Sequence, residues 1–271
     1  MQIENKVAVV TGGGSGIGRA LAVELAKNGA QVVIGDIDER DADDVARIIG
    51  DAATSIRADA STVDGITRLI AEAERHFGPV DIFVANAGIM GAAGLGDFAD
   101  WDKVLAINLR AHINAAGLLL PGWRRRGSGY FVSVASAAGL LTQLGAAGYA
   151  VTKHAAIGFA EWLAITHGED GIGVSCVCPL GVDTPLLAAV RSSPGRSSRI
   201  GAQSIIKSGS VISAAEVAAE TIRAIRAERF MVLPHPKVLD MFRGKGADYD
   251  GWISRMRHLQ RSLSGGVAEP E

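Results

Sequence analysis

Short unbroken apolar runs alternate with amphipathic stretches along most of the chain. Lys6–Thr11 (KVAVVT), Gln31–Gly35 (QVVIG), Asp81–Ala85 (DIFVA), Gly129–Val134 (GYFVSV) and Gly173–Val177 (GVSCV) are rich in apolar and β-branched residues and bounded by glycine or polar residues. Runs of this kind predict strands buried on both faces, as in a parallel sheet. Thr54–Arg57 and Phe230–Leu233 read as shorter strands. Between the strands, Arg19–Asn28, Glu39–Ile49, Val63–Phe77, Phe98–Leu120, Ala147–His167 and Ser213–Arg226 read as helices. The last opens on a Ser213–Glu216 capping box. Strand and helix in alternation predict a doubly wound α/β fold, with a parallel sheet of about seven strands in a single domain over residues 1–271.

Three stretches fall outside this rhythm. Leu186–Lys207, rich in Ser, Arg and Gly, reads by composition as a mobile loop. Its Arg191, Arg196 and Arg199 fit a solvated lid better than a site for an acidic substrate. Pro234–Leu263 reads as a helical extension whose Phe242, Tyr249, Trp252, Met256 and Leu259 either wall a pocket or meet a partner subunit. Gly265–Glu271 reads as a frayed tail.

Composition narrows the function classes. A chain of 271 residues buries a large core. The net charge of −2 speaks against nucleic acid or an anionic membrane as partner. No apolar run approaches the roughly 18 residues of a membrane span, and Met1–Lys6 carries no apolar segment. A cytoplasmic protein without a signal peptide is expected. Cys176 and Cys178 face the same side of a strand and read as buried core thiols, and no Cys/His cluster predicts a metal site.

The first strand runs into Gly12-Gly13-Gly14-Ser15-Gly16-Ile17-Gly18, then a helix, then a strand ending on Asp36. This order marks a dinucleotide-binding Rossmann unit. Glycines let the backbone turn tightly and approach a pyrophosphate, and the following helix N-terminus offers free N–H groups. A carboxylate at Asp36 can accept both ribose hydroxyls of NAD and repels the extra phosphate of NADP. The loop is also a near miss for a P-loop, but Arg19-Ala20 stands where Lys-Ser/Thr would grip phosphate and magnesium, which excludes an ATPase. Its spacing is T-G-x-x-x-G-x-G, carried by Thr11, Gly12, Gly16 and Gly18.

Tyr149 and Lys153 fall on one face of a helix, and Ser136 precedes Tyr149 by thirteen residues. A free tyrosine, with a pKa of about 10, is a poor base at neutral pH. A neighbouring ammonium favours the phenolate and is expected to lower that value, so that the phenol can exchange a proton with an alcohol or ketone.

The glycine pattern together with the later Tyr-x-x-x-Lys resembles the short-chain dehydrogenase/reductase family, in its common single-domain branch, from about Lys6 to Leu233. The resemblance implies a tetrad of Asn108, Ser136, Tyr149 and Lys153, with Asn108 supporting a water relay behind Lys153. It implies cofactor contacts from Gly12, Ser15, Gly16, Ile17, Gly18, Asp36 and Ile37 at the glycine loop and second strand. Asp59 and Ala60 are expected by the adenine, with Asp59 alternatively the N-cap of the next helix. Asn86, Ala87 and Gly88 are expected at the cofactor edge, although Ala85 stands where the family usually has a first asparagine. Pro179, Val182 and Thr184 match the segment that closes over the nicotinamide, and Leu180 replaces its usual glycine. Ile37 and Ser15 stand where NADP-dependent members usually carry a basic residue. The implied activity is NAD-dependent interconversion of a secondary alcohol and a ketone, on a hydrophobic substrate, by a homo-oligomer, a tetramer by resemblance. Three alternatives stay open: an NADP-dependent ketone reductase of the same fold, a nicotinamide-binding regulatory protein without turnover, and an epimerase or dehydratase of the extended branch.

Overall fold

The computed structural model describes residues 1–264. The chain alternates as expected: β1 (Val7–Thr11), α1 (Gly16–Lys27), β2 (Gln31–Asp36), α2 (Glu39–Ile49), β3 (Ala53–Arg57), α3 (Val63–His76) and β4 (Ile82–Ala85). Next come α4 (Phe98–Leu105), α5 (Ala111–Arg126), β5 (Gly129–Val134), α6 (Ala138–Leu141), α7 (Ala147–His167) and β6 (Ile172–Val177). The C-terminal third holds β7 (Val182–Asp183), α8 (Pro185–Ser192), α9 (Arg196–Ser208), β8 (Ile212–Ser213), α10 (Ala214–Arg226), β9 (Met231–Val232), α11 (Lys237–Ala247) and α12 (Tyr249–Leu263).

Seven strands form one parallel sheet in the order β3-β2-β1-β4-β5-β6-β9. The chain winds outward from β1 to β3, then returns to lay β4 on the other side of β1. That reversal opens a crevice at the carboxyl ends of β1 and β4, where ligands bind in such sheets. The unbroken apolar runs are explained by two cores. Val7, Val9, Val33, Phe83 and Phe131 pack under α3, α5 and α7. Their neighbours Ala8, Val10, Val32, Ile34, Val84 and Val132 pack under α1, α2 and α10. Cys176 and Cys178 are free thiols, both fully buried on the first of these faces, with sulfurs 3.8 Å apart.

Several expectations need correction. Leu186–Lys207 is mostly helix rather than loop. Thr184 accepts from the Leu187 N–H and Pro185 opens α8, while Ile200, Ala202, Ser198 and Ser204 are buried in α9. Serine-rich composition hides this because small side chains serve close packing as readily as solvent exposure. The helix expected over Phe98–Leu120 runs on through Pro121 to Arg126, with a π turn at Ala106–Arg110. Phe98–Arg126 as a whole is long and apolar enough to cross a membrane by length and composition, unlike any single run in the sequence. Here Ala115, Ala116, Leu119 and Trp123 lie in the core beside the sheet. The N-cap of α3 is Thr62, whose hydroxyl accepts from the Gly65 N–H at 3.0 Å, not Asp59. The expected tail, Gly265–Glu271, lies outside the described residues.

Candidate active site

A cavity of about 420 Å³ opens at the carboxyl ends of the strands and runs from Asp36 to α12. Gly12, Ser15, Gly16, Ile17, Asp36, Ile37, Asp59, Ala60, Asn86, Ala87 and Gly88 line its first half, with Ser136, Tyr149, Lys153, Pro179, Val182 and Thr184 beyond them. Gly18 and Asn108 are absent from the lining: each acts from behind the wall.

The first half is backbone geometry. Gly12 and Gly16 hold positive φ (60° and 50°), and a Cβ on Gly18 would lie 2.0 Å from the Gly12 carbonyl oxygen. Helix α1 that follows has no side-chain cap and no acid in its first turn, whereas α2, α3 and α10 are capped by Asp38, Thr62 and Ser213. Its free N–H groups therefore suit an anion such as a pyrophosphate. The Asp36 carboxylate accepts from Gly14 N–H (2.9 Å) through one oxygen and from Asp38 N–H (3.1 Å) through the other. Each oxygen keeps a lone pair, so the acid is aimed before any ribose arrives. Asn86 braces the loop: its amide donates to the Thr11 and Gly12 carbonyls at 2.9 and 3.0 Å. The Thr11 hydroxyl accepts from Asn86 and Ala87 N–H and donates to Val84 O. Ala85 is buried in the apolar core.

The residues expected to be catalytic lie where four elements converge. Ser136 follows β5, and its hydroxyl accepts from Ala138 N–H at 3.1 Å. Tyr149 and Lys153 are both buried on α7, with Lys153 Nζ 5.7 Å from the centre of the tyrosine ring. Lys153 donates to Val134 O at 2.9 Å. The π turn directs Asn108 inward, where it is fully buried. Its oxygen accepts from Ile89 N–H at 2.9 Å, and its amide donates to Ile89 O (2.9 Å) and the Thr152 hydroxyl (3.1 Å). Both amide protons are committed, so the side chain fixes the strand end at Ile89. Gly88 lies between them: a Cβ there would be 3.4 Å from both Asn108 Oδ1 and Lys153 Nζ.

The electrostatics reverse one expectation. Burial pushes the Tyr149 phenol above its ordinary value, and the Ser136 hydroxyl pulls the other way. Desolvation of a phenolate outweighs its neighbours here. The same burial brings Lys153 down to about 8. His112, missed in the sequence, is buried one helical turn beyond Asn108, with Nδ1 3.1 Å from the Ser133 hydroxyl. Burial, then the Lys153 charge, pushes it down to about 3, so it is neutral. No sequence signal distinguishes it from a surface histidine.

The far half of the cavity is mainly apolar side chains, Leu141, Leu144, Leu186, Leu187, Ile205, Met241, Trp252, Met256 and Leu259, with the uncharged polar Thr142, Gln143, Ser204 and Ser208 among them. Thr142, also in the wall, has φ 111°, a region costly for a β-branched residue, on the order of 1–3 kcal/mol. Gln143 ties this loop to α9 by donating to Ser204 Oγ at 3.1 Å. Leu180 is partly buried against the core, and His235 Nδ1 accepts from its N–H at 3.2 Å. Arg191, Arg196 and Arg199 are exposed and do not line the cavity.

A family model described as short chain dehydrogenase matches residues 6–195. The chain belongs to this family. A short chain dehydrogenase/reductase from Burkholderia phymatum, solved in complex with NAD, superimposes with a TM-score of 0.83 at 30% identity, covering 92% of this chain and 96% of that one. Cis-4-hydroxycyclohexanecarboxylate dehydrogenase of Sinomonas cyclohexanicum is 40% identical over 68% of this short chain dehydrogenase and 76% of that relative. The sex determination protein tasselseed-2 of Zea mays is 39% identical over 69% of this chain, and the match spans 58% of the maize protein's length. The family fixes the reaction class as oxidoreduction of alcohol groups. The family-model match ends before α9, so α9, α11 and α12, three of the helices that wall the far half, fall outside it.

Proposed function

We propose that this short chain dehydrogenase interconverts a hydrophobic secondary alcohol and its ketone with NAD. The observation that carries the reading is the convergence of Ser136, Tyr149 and Lys153 in one cavity whose other end presents Asp36 and an uncapped helix N-terminus. The residues fit a dinucleotide. Gly12–Gly18 and α1 hold the pyrophosphate, and Asp36 accepts from the adenosine ribose. Asp59 and Ala60 flank the adenine, Asn86–Gly88 the edge, and Pro179, Val182 and Thr184 the carboxamide. When bound, NAD supplies a hydride acceptor. Tyr149 takes the hydroxyl proton of the alcohol, and Ser136 holds the same oxygen in place. Lys153 supplies a cation beside the phenol and reaches the cofactor's second ribose, while Asn108 positions the wall behind it.

Calorimetric titration with NAD and NADP separately, followed by a panel of secondary alcohols scored for NADH, tests this. NAD preference with turnover is expected. NADP preference redirects the screen to ketone reduction, and binding without turnover across the panel favours a regulatory role. The pH profile is a sharper check. With Tyr149 raised and Lys153 at about 8, the phenolate fraction grows tenfold per pH unit while the ammonium is lost above 8. Oxidation kcat/KM is expected to rise to about pH 8 and flatten above it. A profile falling from neutral pH upward contradicts the assignment of Tyr149 as base.

The reading includes a homo-oligomer. Ile113 and Leu118 of α5, and Val151, Trp162 and Ile165 of α7, are exposed apolar residues on the two helices through which the resemblance expects subunits to join. Light scattering that returns a monomer mass overturns it.

A further inference from the structure

We propose that α11 and α12 form a specificity wall, fastened by buried Lys245, that selects an uncharged ring-bearing alcohol and rejects hydroxy acids of the same size. The inference rests on the alcohol–ketone reading above.

Trp252, Met256 and Leu259 stand at i, i+4 and i+7 of α12, and all three line the cavity, joined by Met241 of α11. The opposite face of α12 carries exposed Arg257 and Arg261, while Arg255, beside the stripe, is paired with Asp248. The helix is thus oriented with its apolar stripe on the cavity and its cations in solvent. Across the space stand Leu141, Leu144 and Ile205. An aromatic ring and two thioether chains against leucines suit an alicyclic or polycyclic skeleton.

Lys245 fixes this wall. It is a buried cation on α11, and its ammonium donates to Leu140 O at 2.8 Å. The same ammonium sits 4.8 Å from the Trp252 ring centre and 5.4 Å from that of Tyr249. One side chain therefore joins α6, the turn that follows Ser136, to both C-terminal helices, and holds the ring of Trp252 through a cation–π contact.

The charge of the lining decides what is excluded. Among the described residues, the charged groups lining the cavity are Asp36, Asp59 and Lys153, all in the cofactor half or the catalytic group. A carboxylate carried on the substrate skeleton would enter the apolar half and lose its hydration with no cation to meet it.

The test compares 4-isopropylcyclohexanol with 4-hydroxycyclohexanecarboxylate, ring alcohols of similar size and opposite polarity, with NAD and the full chain. The neutral alcohol is expected to show at least a hundredfold higher kcat/KM. Met256→Arg is expected to narrow that ratio at least tenfold. Trp252→Ala is expected to raise KM for the neutral alcohol about tenfold. Lys245→Met, acting through position alone, is expected to raise that KM with kcat changed less than threefold, while a lost NAD titration would mark a folding defect instead. Equal use of the two substrates by the wild type, or an unchanged ratio in Met256→Arg, overturns the proposal. If NAD binds and neither alcohol is oxidised, the alcohol–ketone reading fails instead. Calorimetry of 4-isopropylcyclohexanone on the NADH-loaded protein then decides the wall by itself: tenfold weaker binding to Trp252→Ala sustains it, and equal binding refutes it.

Discussion

The two halves of the cavity are built by opposite means. The cofactor half is made of backbone: positive-φ glycines, a helix end without a cap, and a carboxylate held by two N–H groups. The substrate half is made of apolar side chains on α8, α9, α11 and α12, braced by contacts such as Gln143 to Ser204 and Lys245 to Leu140. Backbone geometry tolerates almost no added atom, because the chain itself must move. Side-chain walls yield by degrees, since a smaller residue leaves space that neighbours partly fill. The cofactor half is therefore rigid in sequence, and the substrate half is where specificity can drift.

Substitutions can break or sharpen that contrast. The largest effect belongs to the junction. Tyr149→Phe is expected to lower turnover by about a thousandfold, with NAD affinity little changed, as single-turnover rates beside a titration would show. Gly18→Ala is expected to weaken NAD binding roughly 100-fold, about 3 kcal/mol, because its Cβ meets the Gly12 carbonyl. Unaltered affinity would show that the loop has slack.

Lys153→Met separates function from stability. Lys153 titrates at about 8 rather than 10.5, which costs the folded protein roughly 3 kcal/mol at neutral pH. Loss of its bond to Val134 O returns about 1 kcal/mol. The variant should be inactive yet about 2 kcal/mol more stable, which raises Tm by roughly 4–8 °C. The sign follows from linkage: between about 8 and 10.5 the unfolded chain holds the proton and the folded one does not, so wild-type stability climbs with pH and the gain disappears near 10.5. Melting curves at neutral and alkaline pH check both statements. The smallest effect is in the substrate wall. Ile205→Ala, on the cavity face of α9, is expected to raise substrate KM about fivefold, about 1 kcal/mol of binding, leaving NAD affinity intact.

The same contrast explains what could be read in advance. Gly12, Gly16, Gly18, Asp36, Tyr149 and Lys153 stand out by local spacing, and the parallel sheet follows from the strand–helix rhythm, whereas the order of its strands does not. The cavity wall is not local. The serines of α9 look like loop residues until Ser198 and Ser204 are seen buried. Trp252, Met256 and Leu259 stand out in the sequence as large apolar residues of a helical extension, but whether they meet a pocket or a partner depends on packing. Burial likewise decides the direction of the Tyr149 shift, and no spacing rule reports how dry a helix face becomes. His112 and Lys245 become distinctive only once buried.

The π turn at Ala106–Arg110 has a consequence for how this gene can change length. Such a turn is equivalent to one residue added to a regular helix. Removing a single codon between Ala106 and Arg110 would restore an unbroken α-helix whose later residues keep their phase, because the π turn already absorbs the extra residue. Leu119 and Trp123 would stay in the core, and the loss would fall on Asn108, which the turn directs to Ile89. Deletions here are therefore costly through the candidate site and not through the core, whereas deletion of one codon in the regular part of α5 would turn its core face away from the sheet.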